Sequence, residues 1–143
     1  MFDRILLAYD GSEHTSVALR KAADLALLCK AELHLLGVIS TVSASALLQA
    51  DAPYEFFARD REFIEASLAD AARQLGSQGL VVETSIREGI PTHEIANYAK
   101  SIDADLAVIG HSDKGFLSRW FEGSIGAGLV RDLPCNLLIA AED

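Results

Sequence analysis

The last third of the chain holds five glycines, Gly110, Gly115, Gly123, Gly126 and Gly128, in and after the turn that follows a short apolar run. Glycines at a strand-to-helix turn let the backbone approach a phosphate, and the free N–H groups of the helix start complete a nest for the anion. The same residues have a plainer use: Gly110 and Gly115 permit a tight loop, and Gly123, Gly126 and Gly128 permit close helix packing. On spacing alone the plainer use leads, because isolated glycine spacings carry little information. Three better-defined chemistries fail at the residue level. Gly110-His111-Ser112-Asp113-Lys114 imitates a nucleophile elbow, but Lys114 stands where the closing glycine belongs and no Asp–His pairing completes it. Gly110 and Gly115 have the first spacing of a phosphate-binding P-loop, yet Phe116-Leu117 replace its Lys and Ser/Thr. Asp10-Gly11-Ser12 follows an apolar run but holds a single glycine, which is too few for a dinucleotide fingerprint. No side chain offers an evident base for activating water, so no catalytic residue is assigned.

The remaining reactive side chains read as structural. Cys29 and Cys135 lie in apolar surroundings with no Cys-x-x-Cys pair, which favours small buried hydrophobes in a reducing compartment. His14, His34, His93 and His111 show no ligand spacing, so no metal is expected. Lys and Arg number 12 against 21 Asp and Glu, a formal net charge of −9. That charge repels polyphosphate backbones and disfavours nucleic acid. It leaves room for one small anion held by a local nest of N–H groups.

The elements that must position these residues alternate. Arg4-Ile5-Leu6-Leu7-Ala8-Tyr9 reads as a buried strand stopped by Asp10-Gly11-Ser12. A helix follows from Glu13, with Ala18, Ala22, Leu25 and Cys29 on one face and Asp10 or Ser12 as its N-cap. Ala31 to Ile39 is a second strand, and residues 40–53 form an irregular or loosely helical connection suited to a flap. Tyr54 to Gly76 is a long amphipathic helix with Ile64, Leu68, Ala71, Ala72 and Leu75 in its stripe. Leu80 to Arg87 is a third strand, and Pro91-Thr92 open a helix through Lys100 that turns Ile95, Ala96 and Ala99 inward. Asp105 to Ile109 is a fourth strand. A helix over about 118–132, with Trp120 and Phe121 as core anchors, leads to a fifth strand, Asn136 to Ala140. Five alternations with right-handed crossovers give a doubly wound parallel sheet with helices on both faces. Such sheets bind ligands beyond the carboxyl ends of their strands, where the strand order reverses.

The chain has 143 residues, half of them hydrophobic and 23% charged, which fits one domain over 1–143 with a sizeable core. No apolar run approaches the roughly 20 residues that span a bilayer. The opening residues lack the basic, apolar and small-residue segments of a secretory signal, so a cytoplasmic protein with no membrane association is expected.

Element order and residues together resemble the universal stress protein family. The resemblance rests on Ile5-Leu6-Leu7-Ala8-Tyr9-Asp10-Gly11-Ser12 at one end. At the other it rests on Asp105 to Gly110, Gly123-Ser124, and Val130 through Ile139. It covers all but about residues 40–60. It implies an adenine nucleotide alpha hydrolase-like, Rossmann-like fold and a role in stress response. ATP-binding members carry Gly, two residues, Gly, nine residues, Gly and then Ser or Thr. Here that pattern is Gly110, His111-Ser112, Asp113, residues 114–122, then Gly123-Ser124, so the spacing is intact and Asp113 replaces the middle glycine.

By the same resemblance, Asp10 would hold the ribose and the Val38 main chain would read the adenine edge. Gly110 would sit against ribose and phosphate with Ala8 and Ile109 beside it. Gly123, Ser124 and Ile125 would cradle the phosphates, with Asp113 close by. The implied ligand is ATP, or AMP or ADP, with magnesium. A homodimer through Asn136 to Ala140 is also implied. Taken singly, Asp10 reads as a helix cap and Val38 as core packing. Asp113 sets a carboxylate near the phosphates, which Lys114, Arg119 or a divalent ion would offset. Two functions follow: a nucleotide-binding regulatory module with at most slow hydrolysis, or a dimeric interaction protein that no longer binds nucleotide.

Overall fold

The computed structural model describes residues 1–9, 13–40, 54–111 and 129–141. The described elements are β1 (Arg4–Ala8), α1 (Glu13–Cys29), β2 (Glu32–Ser40), α2 (Tyr54–Gly76), β3 (Val82–Gly89), α3 (Pro91–Ser101), β4 (Leu106–His111) and β5 (Asn136–Ala141). Residues 129–132 are also helical. All pairings are parallel and the strand order is β3-β2-β1-β4-β5. The chain steps outward from β1 to β3, then returns to build β4 and β5 on the other side of β1. This is the doubly wound parallel sheet expected from the alternation.

The period of two along each strand divides the core between two faces. Ile5, Leu7, Leu33, Leu35, Leu106 and Val108 pack with α1 and α2 through Ala18, Ala22, Ala26, Ile64, Leu68, Ala71 and Leu75. Leu6, Ala8, Leu36, Val38 and Ile109 pack on the opposite face with α3 and Leu129 through Ile95, Tyr98 and Ala99. The stripe of α1 is almost all alanine, which lets the helix lie close to the sheet; the expected Leu25 and Cys29 are only partly buried. Ala72 of α2 sits on the flank of its helix. Both cysteines are free and half-buried. In α3, Ile95, Ala96 and Ala99 face inward as expected, and Thr92 and Tyr98 join them. Its N-cap is Ile90, which makes no side-chain capping bond, and Pro91 holds the first helical position.

Three helices stop in the same way. Lys30 (φ 57°), Gly79 (φ 92°) and Asp103 (φ 56°) each adopt the left-handed conformation just past a helix. The next residues, Ala31, Leu80 and Ala104, donate their N–H groups back to Ala26, Leu75 and Ala99 at 2.9, 3.3 and 2.9 Å. All three are buried. Each helix therefore ends by tucking a hydrophobe under itself and aiming the chain at the next strand. β3 starts at Val82 rather than Leu80, because Leu80 is used in this stop.

The amino-terminal edge of the sheet is pinned by Asp105. Its Oδ2 accepts the main-chain N–H groups of Asp3 at 2.6 Å and Arg4 at 2.9 Å, which joins β1 to the start of β4. These two bonds to the charged form, with help from the Arg4 guanidinium, hold the Asp105 carboxyl below its ordinary range. A depressed carboxylate contributes stability above its unfolded value of about 3.9 and loses it as pH falls through the folded value. The stability difference between the native chain and Asp105→Asn is therefore expected to be complete at neutral pH. It should shrink as the pH falls below about 4 and through the lowered value of the folded chain. Because the carboxylate is solvated, the difference should stay under about 1 kcal/mol. Denaturant unfolding at several pH values measures it.

Candidate functional site

In this sheet every strand points its carboxyl end to the same edge, and the winding direction reverses at β1. The pairing of β1 with β4 runs from Ile5↔Leu106 to Leu7↔Val108 and stops there. Ala8 and Ile109, the next residues on each strand, are unpaired with one another, so the sheet parts at this point. β4 continues beside β5 instead, with Ile109↔Ile139, Gly110↔Ala140 and His111↔Ala141. A crevice of this kind at a switch point is where open α/β sheets receive ligands.

β2 supplies the second wall. The Tyr9 N–H donates to the Leu36 carbonyl at 2.9 Å, so the main-chain groups of Leu36 point to the β1 side. In a parallel strand the direction alternates, and the N–H and C=O of Val38 therefore point the same way. β1 ends at Ala8, opposite Leu36, whereas β2 runs on to Ser40 beside β3. The polar edge of Val38 thus lies beyond the last residue of β1 and faces the crevice. Its side chain, with those of Ala8 and Ile109, packs toward α3 and leaves only the backbone on that edge.

The structure accordingly brings Ala8, Val38, Ile109 and Gly110 to one rim. Ala8, Val38 and Ile109 are 1%, 6% and 1% exposed, so they shape the site through main chain and bulk rather than through reactive groups. Asp10, Asp113, Gly123, Ser124 and Ile125 lie outside the described residues, as do the cap Ser12, Trp120, Phe121, and all of the connection expected over 40–53 except Ser40, which ends β2. Arg87, the register partner of Val38, places its guanidinium 5.4 Å from the centre of the Tyr98 ring. Burial raises the Tyr98 phenol above its ordinary value, against a lowering hydrogen bond from Ser85.

One polar group escaped the sequence reading. His34 lies inside the apolar run of β2, 4% exposed, with a carboxylate on each side. The available signal was a lone ionisable residue amid Leu33, Leu35 and Leu36, with glutamates two residues away and on the neighbouring strand.

The universal stress protein family model matches residues 1–141. Universal stress protein YxiE of Bacillus subtilis is 30% identical over 148 residues, covering 97% of this chain and 99% of its own. Among solved structures, a universal stress protein in complex with cAMP superposes with a TM-score of 0.69 at 20% identity, covering 99% of this chain and 98% of that one. The universal stress protein of Archaeoglobus fulgidus in complex with dAMP superposes with a TM-score of 0.66 at 18% identity, covering 96% of each. Both share the fold. With a whole-length family match and a parted, parallel, doubly wound sheet, this chain belongs to the universal stress protein family.

Proposed function

We propose that the chain is a nucleotide-binding regulatory module that takes ATP or a related adenine nucleotide at the parted carboxyl ends of β1 and β4. The observation that carries this reading is the break in pairing after Leu7 and Val108, with the main-chain edge of Val38 on the β1 side of β2, two residues past the point where β1 ends opposite Leu36. A main-chain donor and acceptor side by side match the hydrogen-bonding edge of an adenine, and Asp10, at the end of β1, suits a ribose hydroxyl. Gly110 lets the chain pass close to the sugar and phosphate, with Ala8 and Ile109 walling the rim. Gly123, Ser124 and Ile125 supply the phosphate cradle in this reading. The cAMP and dAMP complexes of structural relatives support the adenine assignment.

Magnesium would offset the charge of Asp113 in this reading, since a hard cation seeks carboxylate and phosphate oxygens together. Hydrolysis is at most slow, because the sequence offers no evident base and no P-loop lysine. The module works as a cytoplasmic homodimer through β5, as one domain. β5 forms one edge of the sheet and exposes 52% of Ile139, with Val130 68% exposed nearby in sequence.

Asp113 favours one second reading, a dimeric interaction protein that has given up nucleotide. Calorimetric titration of ATP, with and without magnesium, separates the two. Saturable binding in the micromolar range is expected. An absence of heat at millimolar ATP in both buffers would overturn the nucleotide reading and leave the interaction protein.

A further inference from the structure

Among the described residues, β3 ends the sheet on the side away from β5, so only one of its main-chain edges is paired. The Leu33 N–H donates to the Val81 carbonyl at 2.9 Å, which fixes the direction of the groups that follow. The N–H and C=O of Glu83, Ser85 and Arg87 therefore point to β2, and those of Val82, Thr84, Ile86 and Glu88 point outward. Charge commonly blunts such an edge against chance pairing. On β3 the charges have both signs, and their spacing is self-complementary.

The side chains of Glu83, Ser85 and Arg87 project on the α3 face. Glu83 lies beside His34 there, Ser85 hydrogen-bonds Tyr98, and the Arg87 guanidinium lies over the Tyr98 ring. Both charged side chains are exposed, Glu83 by 66%. A two-fold axis through Ser85 lays the β3 of a second copy antiparallel along this edge. Thr84 then faces Ile86 of the second copy and Val82 faces Glu88, which are the residues whose main-chain groups point outward. Glu83 falls opposite Arg87, twice by symmetry, and opposite charges across a strand pair attract. A ladder needs outward-pointing groups on both strands, so the register moves only in steps of two residues. One step either way sets Glu83 against Ser85 or Gly89 and loses both charge pairs.

We propose that the β3 edge binds a second copy of this chain in the register that opposes Glu83 and Arg87, joining two sheets into one. On the α2 face the seam brings together the β-branched side chains of Thr84 and Ile86, which suit a strand contact. β3 and β5 are opposite edges of the sheet, so this contact goes beyond the proposed dimer and does not depend on it.

The test is sedimentation over a concentration series in an Ile139→Asp background. That substitution disables the β5 edge, so the remaining association reads β3, and a failure of the β5 dimer leaves the result interpretable. The background chain is expected to pass from monomer toward dimer as its concentration rises. Glu83→Arg and Arg87→Glu each set like charges opposite one another and should weaken the association roughly tenfold. Mixed in equal amounts, the two variants place opposite charges at both pairs and should recover the dimer. Ser85→Cys, made with Cys29→Ser and Cys135→Ser, should form a disulfide-linked dimer on oxidation, because Cα atoms in such a pair come within about 4.5 Å. A background chain that stays monomeric at every concentration, or a mixture no more associated than either variant alone, would overturn the contact.

Discussion

Asp113→Gly is expected to tighten ATP binding by about tenfold, with most of the gain in magnesium-free buffer. The substitution restores the middle glycine of the Gly110, Asp113, Gly123-Ser124 pattern and removes one negative charge beside the proposed phosphate cradle. Two unit charges about 4 Å apart repel by roughly 1 kcal/mol in water and about 4 kcal/mol near a protein surface. A change of about 1.4 kcal/mol is tenfold in affinity. Magnesium bridging Asp113 and the phosphates would turn the same carboxylate into a ligand, so the advantage of the glycine should narrow when the ion is present. The effect should also grow with phosphate number, from AMP to ATP. Equal affinity of the native and Asp113→Gly chains for all three nucleotides, with and without magnesium, would mean that Asp113 lies away from the phosphates.

The second large effect lies in the core. Gly37→Ala is expected to destabilise the fold by about 1–3 kcal/mol, although adding a methyl group usually stiffens the unfolded chain in the protein's favour. Gly37 is on the face of β2 that carries α2. A Cβ built there would come within 2.5 Å of Ile64 Cγ2 and 3.2 Å of Leu68 Cδ1. Both side chains are themselves core residues, 9% and 2% exposed, and have little room to retreat. The glycine is what lets α2 lie so close over β2 and β3. Gly76, at the end of α2, is the control: nothing lies within 4 Å of its Cβ position. Gly76→Ala should therefore be neutral or slightly stabilising. Adding Ile64→Leu to Gly37→Ala removes the clashing branch at constant volume and should recover part of the loss. Chemical denaturation of the native chain and the three variants measures all of this, and a neutral Gly37→Ala would refute the packing account.

The parallel sheet was legible because its inner strands are buried on both faces and read as unbroken apolar runs. β1, β2 and β4 lie within two residues of their expected bounds for that reason, and the edge strand β5 does so because it is apolar throughout its core, Leu137 to Ala141. β3 was read two residues early at each end. Leu80 is apolar because it closes the helix before it, and Arg87-Glu88-Gly89 are polar yet still pair with Val38, Ile39 and Ser40. An edge strand tolerates charge that an inner strand would not. The rim of the site was half legible. Val38 and Ala8 look like ordinary core residues, and their importance comes from where β1 stops relative to β2, which is a matter of register. Asp10, Asp113 and Gly123-Ser124 were legible only as a spaced pattern. His34 could not be found from spacing at all, because its partner Glu83 is 49 positions further along the chain and arrives through strand pairing.

The most direct test of the central claim is a residue-resolved NMR titration of the native chain with ATP, following backbone amides. Saturable shifts are predicted at Ala8, Tyr9, Val38, Ile39, Ile109 and Gly110, where β1 and β4 part. Arg4, Glu32 and Asp105, at the opposite end of the same strands, should stay unmoved. Shifts centred on that opposite end, or none at millimolar ATP, would contradict the account.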